Sequence, residues 1–245
     1  MRVTRIHVDA VLAIGITVVL SETAANHLLR ALRLQAGDAC VLFNGDGCDY
    51  GARIIAIDKR AVRVEVGSMQ PLDNESPLRI VLLQALARGD KMDWILQKAT
   101  ELGVNAIMPV MSERSEVKLD AERSRNRASH WRGVLVSACE QSGRARVPSI
   151  ALASSLEHAL DALPHGSQRM ALVPEAARGL GDMEVSCHHV QVLAIGPEGG
   201  WSAKDNMSLS AAGFTEVRLG PRILRTETAG MAVIAALQSR FGDLG

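Results

Sequence analysis

Aromatic residues are scarce in this chain, at 3% of the total, so any core it builds must be aliphatic, drawn from Leu, Val, Ile, Ala and Met. Hydrophobic residues still reach 47%, which excludes global disorder and is enough for a buried parallel sheet. No apolar run approaches the roughly 18 residues that a membrane span needs. The first ten residues carry Arg2, Arg5, His7 and Asp9 in place of the apolar stretch of a secretion signal, so a cytoplasmic protein is expected. The four cysteines, Cys40, Cys48, Cys139 and Cys187, include no CxxC pair and read as reduced thiols. Cys187-His188-His189 offers no metal site, because adjacent residues rarely point at one ion and no further ligand stands at the right spacing. Charge of one sign is also lacking: 27 basic residues balance 27 acidic ones, which argues against a sequence-blind polyanion binder.

What the balance leaves is local. Arg123, Arg125, Arg127, His130 and Arg132 form a basic run without an acid; Arg144 and Arg146 follow it; Arg2, Arg5, Arg30 and Arg33 outnumber Asp9 and Glu22 near the start. Each alone reads as a solvated face. Three in a neutral chain suit a docking surface for one folded RNA.

A length of 245 residues fits two units, one small and one mid-sized. Residues 21–34 read as a short helix capped by Ser21, with Ala25, Leu28, Leu29 and Leu32 at helical spacing. Residues 41–66 read as strands, broken by the Asn44-Gly45-Asp46-Gly47 and Asp58-Lys59-Arg60 turns. A small, closed or nearly closed β-barrel is expected over residues 1–70. Gly67 to Pro77 breaks the pattern, and from residue 76 to 245 strands and helices alternate, predicting a parallel sheet covered by helices. Its strands are expected at 78–86, 106–110, 169–173, 190–195 and 216–219, with Asp90 capping one helix, a long helix within 120–141, and a last helix over 226–241. That last helix is apolar on nearly every face and needs cover from its own fold or from a partner subunit.

Three strand ends run into Pro- or Gly-bearing loops: Leu172-Val173-Pro174-Glu175, Ile195-Gly196-Pro197-Glu198-Gly199-Gly200-Trp201, and Leu219-Gly220-Pro221-Arg222-Ile223-Leu224-Arg225. Ligands of open α/β sheets bind at such ends, and glycines let main chain approach them. The pattern is neither GxGxxG nor a Gly-Lys-Ser/Thr phosphate loop. Backbone-rich loops of this kind suit a neutral heterocycle such as adenine. Thr226 is expected to cap the last helix, with Glu227 in its first turn.

Further segments sharpen this. Gln84-Ala85-Leu86-Ala87-Arg88-Gly89-Asp90-Lys91-Met92, Gln97-Lys98-Ala99-Thr100-Glu101-Leu102-Gly103-Val104, Ser112-Glu113-Arg114-Ser115, Glu140-Gln141-Ser142-Gly143-Arg144 and both glycine loops resemble the RsmE family, over nearly the whole chain. The resemblance implies an α/β protein: a C-terminal SPOUT-type parallel sheet with a trefoil knot, plus an N-terminal PUA-like β-barrel. It implies a homodimer that uses S-adenosylmethionine to methylate N3 of a uridine in 16S ribosomal RNA of the small subunit, without a metal. By motif, the cofactor would be held by Leu172, Val173, Pro174, Ile195, Gly196, Pro197, Gly199, Gly200, Leu219, Gly220, Ile223 and Leu224. Val173 departs from the His frequent before that Pro, and Trp201 stands where Phe or Leu is commoner, read as neutral packing. A Cβ at Gly199 is expected to intrude on the ligand.

For the chemistry, Arg225 is the first candidate, as a guanidinium stabilising a developing uracil oxyanion; its competing role is an ion pair with Glu227. Glu198 is a proton acceptor if burial raises its pKa, and otherwise a partner of the loop's amides. Arg5, Arg30, Arg33, Arg114 and Arg144 are candidates for holding RNA, and Arg114 and Glu140 with Gln141 for lining the site. Two other classes stay open: a non-catalytic assembly factor, and a nucleotide-dependent oxidoreductase, which would need the GxGxxG and distal acid missing after Leu86. Among methylases, transfer RNA is the alternative target.

Overall fold

The computed structural model describes residues 4–26, 28–29, 34–58 and 61–245, which separate into two compact units: Met1–Glu75 with Cys139–Val147, and Ser76–Ala138 with Pro148–Gly245. Arg30, Arg33 and the tip of the Asp58-Lys59-Arg60 turn lie outside the described residues.

In the first unit, strands β1 (Arg5–His7), β2 (Thr17–Val19), β3 (Ala39–Phe43), β4 (Cys48–Asp58) and β5 (Ala61–Pro71) form a sheet of order β1-β3-β4-β5-β2. The alternation read from residues 61–66 is real: Val62, Val64 and Val66 point inward between exposed Arg63 and Glu65. These valines, with Ile6, Leu42 and Ile54, coil the sheet around one aliphatic core. No ladder joins β1 to β2 among the described residues, so hydrogen bonding does not close the sheet into a barrel there. Strand β5 runs to Pro71, beyond the expected break, bulging opposite Gly51. Helix α1 is Glu22–Asn26, with the Ala24 amide bonded to Ser21 Oγ at 3.3 Å, and Leu32 of the expected helix lies outside the described residues.

The second unit carries β6 (Ile80–Ala85), β7 (Ala106–Met111), β8 (Ser149–Ile150), β9 (Ser154–Ser155), β10 (Gln168–Leu172), β11 (Gln191–Ile195) and β12 (Thr215–Val217). All their ladders are parallel, in the order β12-β10-β11-β6-β7-β8, with β9 also on β7. Central β6 and β11 are buried at every residue, which is why they read as continuous apolar runs rather than alternating ones. The helices are α2 (Lys91–Glu101), α3 (Ala121–Ser142), α4 (Leu156–Asp161), α5 (Ala203–Ala211) and α6 (Thr226–Phe241). The short β8, β9 and α4 and the helix α5 had no sequence expectation.

Helix α2 buries Met92, Ile95, Leu96 and Ala99 as its spacing demands. Full burial of each larger side chain stabilises by about 1.5–3 kcal/mol. Asp90 stands at the N-cap but is helical itself, and its side chain caps nothing. Helix α6 buries Thr226, Ala229, Gly230, Val233, Ile234, Leu237 and Gln238, one stripe at helical spacing. Gly230 faces Gln84 and Ile195, where a Cβ would make only ordinary contacts at 3.7 and 3.8 Å. Gln238 fastens the far end, donating to Leu102 O at 2.9 Å. Met231, Ala232, Ala235 and Ala236 stay half-exposed, so this fold covers only part of the apolar helix.

Candidate active site

The carboxyl ends of β10, β11 and β12 lie side by side, and the three loops leaving them enclose a cleft of about 590 Å³. All twelve residues expected in the cofactor loops line it, together with Glu198, Arg225 and Arg114. Val173 continues the β10 ladder, its amide donating to Val217 O at 3.0 Å, while its side chain joins the apolar cluster under the cleft. The departure from His therefore leaves an apolar wall.

Loop shape follows from a few positions. Gly200 has φ +66°, a region that L side chains rarely adopt, and its amide closes a turn onto Pro197 O at 2.9 Å. Gly196 is tight instead: a Cβ there would meet the Trp201 amide at 3.3 Å and the indole at 3.4 Å. Within the protein, a Cβ at Gly199 would touch only the Arg114 side chain at 3.5 Å, an ordinary contact. Arg114, expected to hold RNA, is the strut on that side, donating to Gly199 O at 3.0 Å and Trp201 O at 3.4 Å.

Thr226 is also corrected. Arg225 occupies the N-cap, and Thr226 is the first helical residue, buried at 5% exposure. Its hydroxyl donates to Gly196 O at 2.6 Å and accepts from Gln84 Nε2 at 3.0 Å, tying α6, β6 and the glycine loop together.

Lys91 was quoted only within a motif; the structure makes it the charge centre of the cleft wall. Its ammonium stands 2.9 Å from Glu198 and 3.5 Å from Glu227. Burial works upward on Glu198, but Lys91, the loop's own amide and the Arg88 amide outweigh it and hold the carboxyl below its ordinary range. The raised pKa that a proton acceptor needs is therefore not found at Glu198. The same bond to Glu198 raises Lys91. Glu227 faces Lys91, and exposed Arg225 forms no ion pair among the described residues, so the competing role proposed for it is not seen.

Other expected site residues lie elsewhere. Arg144 is 5% exposed and grips Glu75 through two bonds, Nε at 3.0 Å and Nη2 at 2.5 Å. Arg5 pairs with Asp49, donates to Arg144 O at 3.0 Å and lies over the Phe43 ring. Both guanidinium groups are thus engaged within the first unit. Glu140 accepts the His7 amide in the same unit and does not line the cleft. Cys40 and Cys139 are buried, which pushes their thiols up to about 11. Among the described residues no cluster of three or more His, Cys, Asp or Glu could hold a metal, and no helix is long and apolar enough to cross a membrane.

Comparison with known proteins decides the family. Residues 74–238 match an RNA methyltransferase domain, and residues 20–67 an RNA methyltransferase PUA domain. The chain belongs to the ribosomal RNA small subunit methyltransferase E family. It is thus an S-adenosylmethionine-dependent RNA methyltransferase of SPOUT-type fold with a PUA domain. The Neisseria gonorrhoeae ribosomal RNA small subunit methyltransferase E, solved bound to S-adenosyl methionine, is 39% identical, covers 100% of both chains and superposes with a TM-score of 0.92. A Legionella pneumophila protein, also in complex with that cofactor, is 34% identical over 99% of this chain and 100% of its own, with a TM-score of 0.94. The Buchnera aphidicola (Schizaphis graminum) family member is 31% identical over 99% of this chain and 98% of its own.

The residues of the cleft fit S-adenosylmethionine. Two buried polar atoms on its wall, Trp201 Nε1 and Asn206 Oδ1, have no protein partner, a donor and an acceptor left for a ligand. Lys91, Asn206 and Thr226 are among the cleft residues that sequence reasoning left without a role there. The Gln84–Met92 motif was the one available signal, for Lys91.

Proposed function

We propose that this chain transfers a methyl group from S-adenosylmethionine to N3 of one uridine in 16S ribosomal RNA, the position conventionally numbered 1498, acting in the cytoplasm on the assembled small subunit as a homodimer. The observation that carries this reading is one cleft built from three backbone-rich loops, with Arg225, which forms no ion pair among the described residues, on its lining.

When bound, S-adenosylmethionine supplies a sulfonium-activated, electrophilic methyl group. Leu172 to Pro174, Ile195 to Gly200 and Leu219 to Leu224 hold it through main-chain groups and an apolar wall that excludes water. Uridine N3–H is a weak acid, so the enzyme must expose the base, align N3 and ease the proton's departure. Arg225 stabilises the negative charge that spreads onto the uracil oxygens as that proton passes to solvent water at the open side of the cleft, and this lowers the demand for a strong base. Glu198, kept ionised by Lys91, holds the glycine loop against α2 rather than taking the proton.

The homodimer rests on the apolar surface left on α2 and α6: Trp94 is 59% exposed, and Met231, Ala232, Ala235 and Ala236 are half-covered. The trefoil threading is supported by the chain's route. It leaves β12, where Arg218 Nη1 bonds Ala176 O at 2.9 Å, and returns past β10 so that Thr226 reaches Gly196 beyond β11.

The test incubates the protein with labelled S-adenosylmethionine and small subunits from cells lacking the modification. N3 methylation blocks pairing, so reverse transcriptase should halt beside the labelled uridine. Full read-through on subunits, with a halt on transfer RNA, would overturn the assignment.

A further inference from the structure

A second concavity of about 660 Å³ lies on the same unit, between residues 116–119 and one face of α3. Arg123, Asn126, Arg127 and His130 fall at three- and four-residue intervals, so they share that face, with Lys118 opposite. The charge is accessible: Arg123, Arg127 and His130 are all exposed. Arg127 has no carboxylate partner among the described residues, and Lys118 Nζ spends its bond on a carbonyl, Ser112 O at 2.7 Å, keeping its charge. Two acids temper the face: Asp120 lies 3.6 Å from Arg123, and Asp93 2.7 Å from His130. Glu116 on the opposite side is engaged by Arg88.

The groove adjoins the methyl-transfer cleft through the chain itself. The loop after β7 places Arg114 on the cleft and Glu116 to Leu119 on the groove. Arg88 makes the second link, its amide donating to Glu198 Oε1 at 3.3 Å while its guanidinium holds Glu116. A uridine presented to the cleft brings the phosphates of its strand with it. An open cationic groove linked to the cleft by this loop and by Arg88 suits a polyanionic backbone better than a compact ligand.

We infer that the groove between α3 and residues 116–119 binds the sugar-phosphate backbone flanking the target nucleotide, with Arg123 and Arg127 as its phosphate contacts. The inference rests on the proposed function and deepens it: it names the surface that holds the substrate strand.

The experiment compares the full-length parent with R123A/R127A and with R125A, which removes an exposed arginine of the same helix that does not line the groove. Alanine favours helix, so α3 persists. Binding to protein-free 16S RNA is measured by filter retention across a salt series, and methylation of small subunits by labelled methyl incorporation. For R123A/R127A the expected outcome is RNA affinity lowered on the order of tenfold, a log–log salt slope reduced by about 1.4 to 1.8, a raised KM for subunits, and kcat and calorimetric S-adenosylmethionine affinity within twofold of the parent. R125A should match the parent within twofold. An unchanged salt slope in R123A/R127A, or equal weakening by R125A, would overturn the inference. So would a loss confined to intact subunits, which would give the groove to a ribosomal protein instead. If the parent methylates no subunit, the proposed function fails, and the RNA-binding arm still decides the groove.

Discussion

Thr226→Val is the substitution that separates two readings of one residue. As a cap, its loss costs about 0.5–2 kcal/mol of helix stability and leaves the cleft alone. As the buried hydroxyl seen here, it holds two bonds, 2.6 Å to Gly196 O and 3.0 Å from Gln84 Nε2, and valine preserves its shape while removing both. Each bond is worth about 1 kcal/mol net, and stranding a buried acceptor costs about 1–3 kcal/mol. Gln84 Nε2 keeps its bond to Ala85 O, so the stranded group is Gly196 O, and Gln84 Oε1 is already without a partner. The expected loss is about 2–4 kcal/mol. Part of it should appear at the ligand, because Gly196 belongs to the loop that lines the cleft: S-adenosylmethionine affinity should fall about tenfold, the equivalent of 1.4 kcal/mol. Thr226→Ser keeps the hydroxyl and should lose only the methyl, about 0.8 kcal/mol. Urea denaturation and calorimetric titration of the three proteins measure both quantities. Parent-like affinity in Thr226→Val, or a Thr226→Ser as weak as it, would refute the reasoning.

Other substitutions test the rest of the arrangement. Gly200→Ala should cost about 1–2 kcal/mol and weaken the cofactor, because of its left-handed backbone, while Gly199→Ala should be nearly neutral beside Arg114; calorimetry that ranks them the other way would reverse the geometry. Arg144→Ala should destabilise by about 3–5 kcal/mol in urea, since it leaves the Glu75 carboxylate without its buried partner; a surface RNA contact would show no such loss. Glu198 is held below its ordinary 4.5, so the folded state binds its proton less tightly than the unfolded chain does. Its stabilisation is present above the ordinary value and disappears as pH falls through the depressed one. The thermal stability gap between parent and Glu198→Gln should therefore be open at pH 7 and close on acidification; a gap constant through the carboxylate range would contradict it.

A carboxylate with Lys91 beside it and amides around it is poorly suited to removing a proton at neutral pH. The cleft instead offers alignment and the Arg225 guanidinium, without an ion pair among the described residues, which suits a reaction whose methyl donor is already activated and whose nucleophile needs only its negative charge accommodated. This places the weight of the proposed chemistry on Arg225 and on the rigidity of the glycine loop, and Thr226 is one source of that rigidity.

Periodicity and strand-end loops were legible without coordinates because they depend on local rules. Alternation in residues 61–66, the continuous apolar runs of β6 and β11, and the stripe of α2 each follow from which face of an element meets water. The cleft loops were legible for the same reason, since glycine and proline at a parallel strand's carboxyl end mark where main chain meets ligand. Which polar residue meets which was not, because the partners lie far apart along the chain. Arg5 and Arg144 read as surface charge, yet Asp49 and Glu75 neutralise them in a buried cluster, 44 and 69 residues away in sequence. Thr226 read as a cap because its local context fits one; only the return of α6 to β11 put Gly196 within its reach. Cys139–Val147, the end of α3 and the segment after it, group with the first unit, a placement that local sequence does not announce. Local sequence sets each element's face and ends, whereas burial and long-range pairing decide whether a charge or hydroxyl is surface, strut or catalyst.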